Sequence, residues 1–274
     1  MGGNIRLDNA VTDVIGVIPA AGRGTRISPL PLSKELFPVG FQDGPASSHP
    51  KVIGQYLLEQ MTRAGIERCF IVLGDGKWDI PMYFGRGETV GIELAYGVIR
   101  NSPGTPYTLD NVFPFVSDKI VAMGFPDMLF ETEDVYCRLF DAFRKTPCDV
   151  MLGLFPADHP HSLDMVAVTA EGVVERIDIK PARTDLTESW GVALWTPTFS
   201  RFMHDWLATN NYPDSSQARH REREISVGHV INAALEASLT VRAVIVSDKP
   251  YLDIGTPGNL MRAIRKRTPR PEDD

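Results

Sequence analysis

The sequence predicts an α/β fold in which a mixed, mostly parallel sheet is flanked by helices. Three observations predict it. A continuous apolar run, Asp13–Pro19 (DVIGVIP), has the pattern of a strand buried on both faces of a parallel sheet. A helix-period stretch and a second short apolar run, RCFIVLG, follow it, which makes a βαβ unit with parallel strands. From about residue 164 the runs shorten and alternate, as antiparallel strands do.

In chain order, residues 52–64 (VIGQYLLEQMTRA) repeat apolar positions at helical spacing and stop at Gly65, a C-terminal breaker. Residues 91–98 read as a strand, 107–116 as a helix despite Pro114, and 119–125 (KIVAMGF) as a strand. Residues 132–145 place Val135, Leu139, Ala142 and Phe143 on one helix face, and 148–155 (CDVMLGLF) form another buried strand. DMVAVT, VVERIDI and GVALWTP then read as antiparallel strands, with AEG as a turn. Helices are expected at 198–209, 225–236 and 257–267, a strand at TVRAVIV, and a frayed tail RKRTPRPEDD. No repeat or low-complexity linker divides the 274 residues, so one domain is expected over 1–274.

The net charge of −7 argues against nucleic acid as the main partner, since phosphate-backbone binding needs a broad basic face. A small anion held by a local cation cluster stays open. Cys69, Cys137 and Cys148 have neither redox nor metal-ligand spacing and read as reduced thiols of a cytoplasmic chain. The start MGGNIRLDNAVTD lacks an apolar h-region, Leu7 stands against a myristoylation signal, and no run reaches membrane-spanning length, so no membrane contact is expected.

The most informative stretch follows the first strand: AAGRGTRISPLPLSKELFPVG. Arg23, Arg26 and Lys34 fall together in a chain that is acidic overall. Small residues let backbone N–H groups approach an anion, and ligands of open α/β sheets sit at the carboxyl ends of strands, where this loop lies. Gly22 and Gly24 are not followed by the third glycine of a dinucleotide-binding turn, and the G-x-x-x-x-G-K-[ST] pattern is absent. The glycines alone would also suit a tight turn carrying surface arginines.

This stretch resembles the signature of the sugar-1-phosphate nucleotidylyltransferases, the nucleoside-diphosphate-sugar pyrophosphorylases, which runs G-x-G-T-R, L-x-P, then P/S-K-x-L-x-P-V. The flavour is nearest to glucose-1-phosphate thymidylyltransferases and uridylyltransferases. The resemblance implies a Rossmann-like fold with a small antiparallel sugar-binding region. It implies a nucleotide-binding part over about 10–130 and a sugar-phosphate-binding part over about 131–260. It also implies that Ala20, Ala21, Gly22, Gly24, Thr25 and Arg26 hold nucleotide phosphates and that Lys34 holds the leaving pyrophosphate. Here the segment between Arg26 and Lys34 is shorter than usual, with Pro31 near the customary Thr.

The likeness continues along the chain. HPKVIGQYLLEQMTRAGI resembles the K-P-M-I helix and A-G-I turn, with His49 where Lys is common, after a looser insert QDGPASS. IELAYGVIRNSPGTP resembles the segment that meets the base: Gly104 matches its glycine, while Ile99 stands where a base-reading Gln is usual, leaving the base open. VAMGFPDMLF and YLDIGTPGNL resemble the L-G-D and W-x-D-x-G-T-P motifs, which makes Asp127 and Asp253 the implied magnesium ligands. Two carboxylates plus phosphate oxygens suit Mg²⁺. Without that context a lone Asp after a strand reads as a cap or turn residue, and Asp253 could equally cap the next helix.

RIDIKPAR resembles V-x-E-K-P, so Lys180 is the implied sugar-phosphate contact. Ile179 replaces the Glu, and the hydroxyl contact is either missing or moved to Asp178. SWGVALWTP resembles N-A-G-I-Y, with Gly191 against the sugar and Trp190 as either a platform or core. His159 and His161 have no third ligand for zinc, and ARHRERE (218–224) reads as a solvated face.

The implied activity joins a nucleoside triphosphate to a sugar 1-phosphate and releases pyrophosphate, with Arg26, Lys34 and Lys180 as catalytic groups and Mg²⁺ as cofactor. Those two substrates are the expected partners, and the resemblance leaves room for a homo-oligomer. The substitutions at Ile99, Ile179 and His49 keep two alternatives: a nucleotide-sugar-binding regulatory protein without the chemistry, or a transferase acting on a non-sugar phosphate or phosphonate.

Overall fold

A computed structural model describes residues 5–7, 10–43, 48–210 and 225–267; the stretch 218–224, most of the QDGPASS insert and the tail from 268 lie outside them. Strand β1 (Ile5–Leu7) pairs antiparallel with β2 (Ala10–Thr12), and β3 (Val14–Ala20) follows. An antiparallel ribbon, β4 (Pro38–Asp43) with β5 (Ser48–Val52), leads into α1 (Ile53–Arg63). Then come β6 (Arg68–Gly74), α2 (Asp79–Phe84), β7 (Glu93–Ile99), α3 (Thr105–Asp110), α4 (Phe113–Val116) and β8 (Ile120–Gly124). The chain continues through β9 (Met128–Leu129), α5 (Val135–Lys145), β10 (Val150–Pro156), β11 (Asp164–Val168), β12 (Val174–Ile179) and β13 (Glu188–Trp195). It ends, among the described residues, with α6 (Pro197–Thr209), α7 (Val227–Glu236), β14 (Val241–Ile245), β15 (Leu252–Asp253) and α8 (Pro257–Arg267).

Nine strands join in one sheet. Its path runs β12-β11-β13-β8-β3-β6-β7, and β10 pairs with both β13 and β14. β3 is parallel to β6 and β8, β6 to β7, and β10 to β14. β13 runs antiparallel to β8, β10 and β11. The predicted antiparallel strands are therefore the continuation of the main sheet.

Alternate residues of the strands feed two cores. Ile18, Ile71 and Ile120 meet Leu57, Leu58 and Met61 of α1 and Leu139 and Phe143 of α5 on one face. Val17, Val121 and Leu152 meet Leu109 of α3, Phe199 and Met203 of α6, and Val230 and Ile231 of α7 on the other. Burying each such side chain contributes about 2 kcal/mol. The predicted stop of α1 is a Schellman closure: the Ile66 N–H donates to the Met61 carbonyl at 3.1 Å and that of Gly65 to Thr62 at 2.9 Å. Gly65 takes φ +82°, where a side chain would strain the backbone.

Two expectations need correction. Residues 107–116 are not one helix: α3 ends at Asp110 and α4 starts at Phe113, because Pro114 has no N–H for the preceding turn. Part of the looser insert is strand, β4 and β5, tied by a contact from Gln55 of α1 to Gln42.

Candidate active site

β3 ends in buried Ala20, and Ala21 through Ile27 then run across the carboxyl edge of the sheet. Gly24 has φ +62°, and its absent side chain leaves room for the Lys34 stem, whose Cδ lies 3.5 Å from the place a Cβ would take. Lys34 opens a 3₁₀ turn, Lys34–Leu36, fixed by the Leu36 N–H donating to Ser33 at 2.9 Å and that of Phe37 to Lys34 at 3.1 Å. Its ammonium is thereby aimed back under the glycine loop.

Two carboxylates meet it there. Asp127 lies three residues beyond β8, and Asp253 lies in β15 opposite Met128 of β9. The Ile254 N–H donates to the Asp127 carbonyl at 3.0 Å. Leu129, Leu252, Ile254, Val39 and Ala263 form a small core of their own beneath this ribbon, which fixes the two acidic positions side by side. Lys34 Nζ donates to Asp127 Oδ2, with side-chain exposures of only 16% and 11%. Arg26 Nη2 lies 3.7 Å from Asp253 Oδ2, with its guanidinium across Gly255.

The electrostatics follow from this crowding. Burial lifts the Asp253 carboxyl above its ordinary range, and the neighbouring Asp127 charge lifts it further, against the pull of Lys34 and Arg26. Burial alone would lower the Lys34 ammonium, but Asp127, Glu35 and Asp253 outweigh it and raise its pKa. Asp253 does not cap α8, since the Asn259 N–H donates to Thr256 Oγ1; instead its Oδ1 takes the Gly255 N–H at 2.6 Å and leaves Oδ2 toward Arg26.

This donor set suits Mg²⁺. It is all oxygen, the two neighbouring carboxylates raise each other's cost of ionisation, and an ion held by one or two carboxylates plus phosphates is the usual magnesium arrangement. No cluster of three acidic, His or Cys groups with metal-site geometry occurs among the described residues, so protein side chains alone do not build a cage.

The remaining predicted residues are placed as follows. Gly22 and Thr25 are exposed on the loop. Gly104 lies backbone to backbone with Ile225, whose carbonyl oxygen would come within 2.2 Å of any Cβ added there, so packing alone requires the glycine. Ile99 ends β7 with its side chain against the core. Lys180 is exposed with φ +43° at the end of β12, and none of its contacts reaches the Lys34 cluster. Asp178 points to the opposite face of β12 from Ile179 and is tied to Arg176 at 2.9 Å. A Cβ added at Gly191 would lie 3.2 Å from the Tyr251 ring and 3.3 Å from Met128 Sδ. Trp190 is core, 4% exposed and packed on Phe125. Glu35, Lys77 and Asp79, charged groups packed behind Lys34, were not foreseen; the signal for Lys77 and Asp79 was the charge density of GDGKWD at a strand end, while Glu35 stood unmarked beside Lys34 in SKELF.

A mostly parallel sheet with a glycine loop, a Lys–Asp pair and a second Asp at its carboxyl edge is the architecture of an α/β enzyme that handles phosphates. The chain belongs to the nucleotidyl transferase family, which it matches over residues 15–269. Solved structures agree in fold. A Bacillus anthracis chain assigned as a glucose-1-phosphate thymidylyltransferase, in complex with a sucrose, superposes with TM-score 0.74 at 18% identity, over 93% of this chain and 95% of that one. UTP-bound UGPase from Acinetobacter baumannii gives 0.73 at 17% identity, over 93% of each chain. The inositol-1-phosphate CTP transferase from T. maritima gives 0.67 at 16% identity, over 94% and 99%. No match was found among the curated proteins compared by sequence. No helix among the described residues is long and apolar enough to cross a membrane.

Proposed function

We propose that the protein transfers the nucleotidyl group of a nucleoside triphosphate to a sugar 1-phosphate. The observation that carries this is the convergence of Arg26 and Lys34 with Asp127 and Asp253 at one edge of the sheet. The N–H groups from Ala20, Ala21, Gly22, Gly24 and Thr25 line the triphosphate, with Gly104 toward the base. Arg26 and Lys34 neutralise the phosphates, and Lys34 stays with the departing pyrophosphate. Lys180 and Gly191 serve the acceptor. In this division residues 10–130 bind nucleotide and 131–260 bind acceptor.

An acceptor phosphate oxygen attacks the α-phosphorus in line. The new P–O bond forms as the α–β bridging bond breaks, and that electron pair leaves on pyrophosphate. Positioning and charge neutralisation supply the catalysis, without a covalent enzyme intermediate. Asp127 and Asp253 are the residues that would hold Mg²⁺, which when bound withdraws charge from the α-phosphate oxygens. Three unpaired cysteines support a reducing, cytoplasmic setting.

A second acceptor class is kept for a specific reason. Ile179 supplies no hydroxyl contact and Asp178, the remaining acidic candidate for the acceptor, is already paired with Arg176, so a polyol or other non-glucosyl phosphate stays open as acceptor. The test is pyrophosphate release with four triphosphates against glucose 1-phosphate, other sugar 1-phosphates, polyol phosphates and phosphonates. Release with any pair supports transfer. Tight nucleotide binding by calorimetry with no release in any pair would replace catalysis by binding.

A further inference from the structure

The segment from the end of β6 to the start of α2 grips the Lys34 turn from behind at two points and packs on the nucleotide loop at a third. Asp79, the first residue of α2, takes two hydrogen bonds from Ser33: the backbone N–H reaches Oδ2 at 2.6 Å and the hydroxyl reaches Oδ1 at 2.6 Å. On the other side of Lys34, Lys77 Nζ donates to both carboxylate oxygens of Glu35, at 2.7 and 2.8 Å. Glu35 is 2% exposed. At the root of the same segment, Gly74 packs so closely on the nucleotide loop that a Cβ there would lie 2.7 Å from the Ala21 carbonyl oxygen. The residues on both sides of Lys34 are thus fastened to one short segment, 74–79.

A role in stability alone is a weak reason for this arrangement. Burying the Glu35–Lys77 pair takes both charges out of water, and apolar residues of the same volume would hold the fold as well or better. What the pair and the Asp79 fork do provide is direction, since each fixes one flank of a turn whose middle residue projects an ammonium. We propose that Asp79 and Lys77 are positioning residues for Lys34, holding its ammonium where it meets the triphosphate; this rests on the transferase reading above. A displacement of about 1 Å in such a group costs on the order of a hundredfold in rate.

The test uses Asp79→Ala, Asp79→Asn and the double change Glu35→Gln with Lys77→Met, which avoids stranding one buried charge. Three quantities are measured on variants that circular dichroism shows folded: kcat, KM for the triphosphate, and the reactivity of each lysine toward a trace of acetic anhydride, read by peptide mass spectrometry with Lys249 as internal reference. Asp79→Ala is expected to lower kcat about ten- to hundredfold while KM changes far less, because ground-state binding is shared with the rest of the loop. Lys34 acetylation should rise severalfold as the turn loosens, and Asp79→Asn, which keeps one acceptor oxygen, should fall between. Unchanged Lys34 reactivity overturns the proposal whatever happens to the rate, and raised reactivity with undiminished kcat overturns it as well. If the wild type releases no pyrophosphate with any substrate pair, the transferase reading falls, while the reactivity of Lys34 still decides whether the clamp exists.

Discussion

Lys34→Met keeps the aliphatic stem that packs beside Gly24 and removes only the ammonium. Two losses follow. One donor to the phosphates disappears, and removal of a single preorganised donor costs on the order of 10²–10³ in kcat, about 3–4 kcal/mol of barrier. Asp127 also loses its partner. Breaking a fully buried pair costs roughly 3–5 kcal/mol. The 16% and 11% exposures leave some water at this one, so about 2 kcal/mol is the better figure for the ligand-free protein. At roughly 2 cal/mol/K of unfolding entropy per residue, a chain of this length converts that into a Tm fall of about 4 °C. Without Lys34, moreover, Asp127 and Asp253 face each other with less compensating positive charge, so magnesium chloride should raise the variant's Tm more than the wild type's. Pyrophosphate release and differential scanning fluorimetry with and without magnesium measure all three. A folded variant that turns over within threefold of the wild type would remove Lys34 from the chemistry, and with it the reason for reading this edge as the active site.

Gly104→Ala must part the 102–105 loop from Ile225, so it should lower Tm and raise KM for the triphosphate with a smaller effect on kcat; unchanged KM would detach that loop from nucleotide binding. Asp164 carries a pH dependence. Burial lifts its carboxyl above the ordinary range despite Lys180, Ser226 and His229, so the folded chain holds that proton more tightly and stability falls as pH rises through the folded value. Asp164→Asn has no such slope, so its Tm should gain on the wild type as pH rises above the ordinary aspartate range of about 4, and parallel curves would sink the assignment. Gly65→Ala, at φ +82°, should cost about 1–2 kcal/mol of stability at the end of α1 and leave kcat untouched, serving as the control for a purely structural change.

How much of this was legible follows from the distance over which each signal acts. The loop from Ala20 to Lys34 is contiguous, and its glycines and cations announce themselves wherever the chain folds. The strands of the parallel half are unbroken apolar runs, and these were placed to within a residue or two. The pairing of Asp127 with Asp253 was different: β9 and β15 are two residues each, too short for any period to reveal, and only the family resemblance linked them. Asp178 and Ile179 face opposite sides of β12, so a carboxylate one position early points the other way from the residue it would replace, a difference the motif spacing alone does not show. The β4–β5 ribbon escaped notice because Pro38, Gly40 and Pro50 imitate loop composition, yet β4 supplies Val39 to the core that seats both aspartates. Lys77 and Asp79 looked like surface charges of a turn, and nothing local says that they close on residues more than forty positions earlier.

These separate origins meet in the charge balance at the sheet edge. Arg26 and Lys34 come from the loop, Asp127 and Asp253 from the short ribbon, and each cation rests against a carboxylate. The closer contact is the less exposed one, because Lys34 is fixed by the turn at 33–36 while Arg26 projects from an exposed bend. On the proposed reading, an incoming phosphate would have to take Lys34 from Asp127, and the carboxylate so released would be left beside Asp253 with its charge uncompensated. Anion binding at the loop and cation binding at the ribbon are then favourable together and unfavourable apart, which is the condition under which a site prefers a metal-complexed triphosphate to either component alone.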